Sequence, residues 1–144
     1  MENRLALIQD YCSRRNIKLS AQQELILAII GNHSQALTIT QILGVLAADN
    51  PKANRMTIHR AVEYLTTLGL IHKISLNHTY ALCSNLNQFH QQSCQLLICQ
   101  KCGSQQEIHS HKICEALAET SQLYNFAFAS PLEITGICHN CQNN

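Results

Sequence analysis

Apolar residues recur at three- and four-residue intervals through the first half of this chain, and that period predicts a run of amphipathic helices. The first spans residues 4–15, with Leu5, Ile8 and Cys12 along one face. Ser20 followed by Gln23 reads as a capping box; it opens a second helix through Leu25, Ile26, Ile29 and Ile30 that stops at Gly31-Asn32. Thr38 and Gln41 repeat the device for a third helix, which buries Ile42, Val45 and Leu46 and ends before Pro51. A fourth runs from near Asn54 to Gly69. Its apolar positions Ile58, Ala61, Val62, Leu65 and Leu68 keep helical spacing, which turns Met56, His59, Arg60, Glu63 and Thr67 outward.

After Gly69 the pattern changes to two short strands, Leu70–Ser75 and Thr79–Cys83, around the turn Leu76-Asn77-His78. Helices followed by a β-hairpin form a winged helix-turn-helix, in which the fourth helix enters the major groove and the hairpin is the wing. The polar face of one helix is ordinarily a solvated surface; the complete order of elements favours DNA binding. Two further strand-like runs, Gln95–Cys99 and Leu132–Cys138, flank a helix expected over His111–Tyr124. The fold class is therefore α+β: a winged helix over residues 1–83, then a small α/β domain over 84–144.

At 144 residues the chain has room for one domain or two small ones. Hydrophobic residues make up 46% and charged residues 13%, which excludes a disordered chain and suits one that buries surface against a partner. The net charge of +1 is unevenly spread. Residues 1–80 carry eight Lys/Arg against five Asp/Glu and residues 81–144 carry two against four, placing any polyanion contact in the first half. The opening Met1–Asp10 has no signal-peptide core, and no long apolar run follows, so a cytoplasmic protein with reduced thiols is expected and a membrane partner is not.

The second half contains two Cys-x-x-Cys pairs, Cys99/Cys102 and Cys138/Cys141. Each has the spacing of a tight turn that aims two thiolates at one point, and two such turns supply a tetrahedral four-cysteine zinc site. Redox chemistry would need only one pair, and secretory disulfides would need an oxidising compartment. An iron-sulfur cluster is the remaining alternative. Cys12 and Cys114 read as small buried apolar residues, and His33 and His78 as exposed loop residues.

A second group of ligand types falls where the two domains must meet: His72 on the first wing strand, Cys83 after the second, His90 beyond it, and Glu107 after the first cysteine pair. Imidazole, thiolate and carboxylate together suit zinc, because the soft sulfur disfavours magnesium, calcium and manganese. Taken singly, each is more often a surface histidine or a solvated carboxylate. Two of the four belong to each domain, so an ion held by all of them would fix the angle between the halves. His109 and His111 could form a further site or replace a member, and Cys94 competes with His90.

The runs Thr57-Ile-His-Arg-Ala-Val-Glu-Tyr-Leu65, Gly69-Leu-Ile-His-Lys73, Tyr80-Ala-Leu-Cys83 and Ile98-Cys-Gln-Lys-Cys-Gly103 resemble the ferric uptake regulator (Fur) superfamily, most of all its zinc uptake regulator (Zur) branch. The resemblance extends from Tyr11 to Cys141. It implies a homodimeric, metal-responsive transcriptional repressor whose second domain dimerises, with structural zinc on Cys99, Cys102, Cys138 and Cys141 and sensory zinc on His72, Cys83, His90 and Glu107. Two zinc ions per chain follow. His59 stands where the family usually has Tyr, and Gln23 where it usually has Arg.

On double-stranded operator DNA, Arg60 is the candidate base reader, since a guanidinium pairs bidentately with guanine. Arg55, Lys52, Lys73, Arg14 and Arg15 suit phosphate contacts, and Thr57 and His59 complete the DNA-facing set. No small organic substrate is expected. The rival readings are a relative tuned to iron, manganese or peroxide, a zinc-stabilised interaction module without DNA binding, and, least favoured, an enzyme using zinc-bound water. A catalytic zinc keeps an open position, whereas four protein ligands can be named here for each site.

Overall fold

The computed structural model describes residues 2–84, 86 and 95–143. The chain forms two compact units, Met1–Phe89 and His90–Asn144, taken separately below.

In the first unit, α1 (Glu2–Arg14), α2 (Ala21–Asn32), α3 (Ile39–Asp49) and α4 (Arg55–Thr67) precede an antiparallel hairpin of β1 (Ile71–Ile74) and β2 (Thr79–Leu82). Both expected capping boxes are present. The Ser20 hydroxyl accepts from Gln23 N at 3.2 Å while Gln23 Oε1 accepts from Ser20 N at 2.9 Å, and Thr38 and Gln41 make the same exchange at 3.1 and 2.8 Å. These bonds satisfy first-turn donors that have no partner within the helix. α4 ends where Gly69 takes φ 77°, a left-handed conformation that lets the chain turn into β1.

The core gathers Ile26, Ile42, Ile58, Val62, Leu65, Leu70 and Ile71 with no exposed surface. Leu5, Leu25 and Val45, expected to face inward, are exposed. Leu25 and Val45 sit roughly a third of a turn from the centre of the buried stripe on their helices, so an apolar i, i+1 neighbour does not by itself imply burial. Gly31 lies so close to the hairpin that a Cβ there would stand 2.8 Å from Leu82 Cδ1, so any side chain at this position would have to push the end of Leu82 aside. A bridge between Leu37 and Tyr80, with N–H···O bonds of 3.0 and 2.8 Å, ties the hairpin to the segment leading into α3.

The second unit contains β3 (Gln95–Cys99), β4 (Gln105–Ile108), α5 (His111–Tyr124), β5 (Leu132–Gly136) and a short α6 (His139–Gln142). The sheet order is β4-β3-β5, with β3 antiparallel to β4 and parallel to β5, so α5 is the crossover that a parallel pair requires. Gln95 is fully buried: its Oε1 accepts from Ser110 N at 2.9 Å and its Nε2 donates to Cys114 Sγ at 3.4 Å. Cys114 is half-buried rather than buried as expected, because α5 leaves none of its residues fully covered. No described helix is long and apolar enough to cross a membrane.

Candidate functional site

Strand register and two turns assemble the four cysteines. Cys99 ends β3 opposite Gly136 of β5, which brings the chain after β5 alongside the turn after β3. Gly103 N donates to Cys99 O at 2.9 Å with Gly103 at φ 74°, and Cys141 N donates to Cys138 O at 3.0 Å, so each Cys-x-x-Cys closes as a tight turn. The four Sγ atoms lie within 4.8 Å of one another, with Cys102 and Cys138 at 3.8 Å. A tetrahedron with Zn–S bonds of about 2.3 Å has S···S edges of about 3.8 Å, so the Cys102–Cys138 edge already matches and the remaining sulfurs need draw in by no more than about 1 Å to fit zinc.

The local electrostatics prepare a thiolate. Hydrogen bonding from the backbone N–H of Cys138, 3.3 Å from its sulfur, and then from Cys102 lowers the Cys99 pKa to about 6. The Ser104 hydroxyl, 3.1 Å from Cys102 Sγ, holds that thiol below its ordinary value. Cys141 is pushed up to about 12, chiefly by its interaction with Cys138 and by burial. Four sulfurs this close cannot all ionise without a cation among them.

Of the second ligand set, the first unit holds His72 and Cys83. Cys83 N donates to Leu70 O at 3.0 Å, so the pairing of β1 with β2 runs on past Leu82 and puts both side chains on one face of the hairpin. Their ligand atoms lie within 4.8 Å, and both residues are buried. A buried imidazole beside a buried thiol departs from the surface histidine that a lone His72 would suggest. In the second unit Glu107 lies on β4 opposite Leu96, its carboxylate 3.5 Å from His109 Nε2. His111 turns instead to Glu115 at 2.9 Å on the exposed side of α5. His90 and Cys94 lie outside the described residues. Cys12 is buried in the core, its pKa raised by burial and by Glu24.

The outward face of α4 is as expected: Met56, His59, Arg60, Glu63 and Thr67 are exposed. Asn54 caps the helix, its Oδ1 accepting from Thr57 N and from the Thr57 hydroxyl, each at 2.9 Å, so the Thr57 side chain is engaged in the cap. His59 faces Glu63 one turn on, at 3.6 Å. On α1, Arg14 pairs with Asp10 at 3.1 Å and the Arg15 guanidinium stacks 4.0 Å over the Tyr11 ring, whose hydroxyl donates to Leu68 O at 3.1 Å. Between α3, α4 and the hairpin lies a cleft of about 380 Å³ whose lining includes Arg55, His59 and Lys73. Thr40, His78 and Tyr80 also line it, and none of these three was expected at a site. The available signal was hairpin register, which sets Tyr80 opposite Lys73.

Residues 14–133 match the model of the ferric uptake regulator family. The zinc uptake regulation protein of Escherichia coli (strain K12) is 26% identical over 138 residues, covering 95% of this chain and 80% of that one. A solved zinc uptake regulator in complex with zinc and DNA superposes with a TM-score of 0.85 at 24% identity, covering 99% of this chain and 95% of the other. The holo form of XcZur gives 0.81 at 23% identity, with 97% of each chain covered. With the family model spanning most of its length, the chain belongs to the ferric uptake regulator family.

Proposed function

We propose that the protein is a zinc-responsive transcriptional repressor that binds operator DNA as a homodimer in the cytoplasm, and that it is not an enzyme. The observation that carries this reading is the buried His72–Cys83 pair on the wing of a winged helix, a soft donor set fixed to the element that would touch DNA. The likeness to zinc uptake regulators, one of them solved with zinc and DNA, supports it. So does the sulfur ligand, which favours zinc over the harder metals of the rival readings.

Two zinc ions per chain are assigned. Cys99, Cys102, Cys138 and Cys141 would hold a structural ion, and His72, Cys83, His90 and Glu107 the sensed one. Bound zinc supplies a compact dication that thiolate, imidazole and carboxylate can share. Residues 1–83 read DNA, with Arg60 at a base edge and Arg55, Lys73, Arg14 and Arg15 near phosphates; residues 84–144 pair the protomers. When the wing donors and Glu107 converge, the two copies of α4 are held for successive major grooves about 34 Å apart. Linkage then requires operator DNA to tighten zinc uptake by the same factor by which zinc tightens DNA binding.

The test is zinc titration of the dimer with and without DNA selected from a randomised pool, on the wild type, Cys83→Ser and Cys102→Ser. Cys83→Ser is expected to stay folded and to lose the zinc dependence of DNA binding, whereas Cys102→Ser loses the folded second unit. Zinc affinity unchanged by bound DNA would overturn the sensor reading.

A further inference from the structure

Beyond the individual contacts assigned above, we propose that the cleft between α3, α4 and the hairpin is a single phosphate seat: it takes one phosphodiester of the DNA backbone, gripped by Arg55 and Lys73 together, with His78 and Thr40 at its rim. The inference deepens the DNA-binding reading and rests on it.

Three independent elements converge on the cleft. Arg55 and His59, at i and i+4 on α4, share one helix face. Lys73 is the exposed position of β1, opposite Tyr80. His78 stands in the turn at φ 54°, which projects the turn from the end of the hairpin. The Leu37–Tyr80 bridge holds the hairpin against the start of α3, so Lys73 and Arg55 are presented from a fixed frame instead of from independent loops. Among the described residues that line the cleft there is no carboxylate. Glu63, one turn further along α4, faces His59 at 3.6 Å; burial and then the Glu63 charge raise the pKa of Tyr80 in the lining, so one carboxylate stands beside the cleft.

The charge of the lining itself is therefore two permanent cations around a concave, half-open space. Tetrahedral oxyanions suit that arrangement: a guanidinium offers paired donors, and an ammonium and a hydroxyl offer donors from other directions. A base edge would call for one flat bidentate group, which Arg60 supplies on the exposed helix face outside the cleft. Seating one phosphate at this junction would fix how deeply α4 enters the groove, leaving base reading to Arg60.

The proposal differs from two separate phosphate contacts in a measurable way. Neutralising a residue that contacts its own phosphate lowers the slope of log K against log salt by about one, so Arg55→Gln with Lys73→Gln would lower it by about two. If both grip one phosphate, the double variant lowers it by only about one, and each single variant, which leaves the other cation on the same phosphate, by less than one. The affinity losses, on the order of 3–10-fold each, should then be strongly non-additive. Zinc-loaded full-length protein would be titrated by fluorescence anisotropy onto a duplex selected from a random pool, with Lys112→Gln in the second unit as a control.

A walk of single neutral methylphosphonate linkages along the same duplex locates the phosphate. One and the same position in each half-site should cost affinity to the wild type and to each single variant, and should cost the Arg55→Gln, Lys73→Gln double variant nothing further. Additive losses, or two different sensitive linkages for the two variants, would overturn the shared seat while leaving DNA binding intact. Failure of the wild type to bind any duplex would instead remove the repressor reading. Saturable binding of inorganic phosphate, abolished by Lys73→Gln and without effect on DNA affinity, would make the cleft a free-anion site and overturn the proposal.

Discussion

The two units reach their folds by different means. The first buries a continuous set of aliphatic side chains from four helices and a hairpin, seven of them without exposed surface. In the second, full burial among the described residues is confined to β3, at Gln95, Leu96, Ile98 and Cys99, while α5 covers none of its residues completely. Leu123, Tyr124 and Phe126 are 77%, 71% and 58% exposed. A unit this small, with so little apolar cover, is the kind that relies on metal ligation or a partner surface. The division follows: the first unit is held by its own packing, whereas the second has little apolar cover of its own.

The largest effect expected from that contrast is the response to metal removal. In small zinc modules the ion contributes about 10–16 kcal/mol of folding free energy, more than a domain of this size can spare. Chelation, or Cys102→Ser, should therefore abolish amide-exchange protection in β3, β4 and β5 while α2, α3 and α4 keep theirs. Persistent protection of β3 in metal-free protein would show that the second unit is held by packing after all. The complementary break is Ile58→Ala, which opens a cavity in the core of the first unit. Denaturant unfolding should show a loss of about 2–5 kcal/mol in that unit, with zinc content unchanged.

The same contrast accounts for what the sequence disclosed. Periodicity and capping residues located α1 through α4 and the hairpin because their burial is one-sided and local, and Ser20, Thr38 and Asn54 carry their own boundary signals. It failed at Leu25 and Val45, apolar residues at the edge of a stripe whose centre only the packed helices define. The four-cysteine site was legible from spacing because each tight turn is a local structure. The pairing of His72 with Cys83 was legible from their ligand types and their places on the two wing strands, whereas the cleft at Lys73 was not, since it depends on the register of β1 against β2, which a four-residue strand does not announce. The exposed apolar end of α5 read as an ordinary helix and shows its lack of cover only in three dimensions.

That exposed end sharpens the comparison at a smaller scale. If α5 and the segment after it are covered by a second copy, Phe126→Asp should weaken the dimer by about 2 kcal/mol, roughly 30-fold in Kd, as loss of a buried aromatic anchor does. Sedimentation at graded concentrations measures it. The zinc content of the variant should stay normal, because Phe126 stacks edge-on to Phe128, with ring centroids 5.2 Å apart, and is not among the cysteine ligands. A dimer of unaltered affinity would assign these aromatics to another partner.

The smallest effect is expected at the start of α4, where the first unit's stability and its chemistry meet. Asn54 accepts two hydrogen bonds from Thr57, at 2.9 Å each, and these hold the first turn on which Arg55 stands. Asn54→Ala should cost about 1 kcal/mol in denaturant unfolding, the usual loss of an N-cap, with Asn54→Ser recovering most of it. A frayed first turn also loosens Arg55, so DNA affinity should fall more in Asn54→Ala than the loss of folded protein accounts for. Because Arg60 lies more than a turn further along the helix, the order of preference among DNA sequences should not change. If sequence preference shifts along with affinity, the first turn takes part in base reading, and the separation of an anchoring end from a reading face on α4 would have to be abandoned.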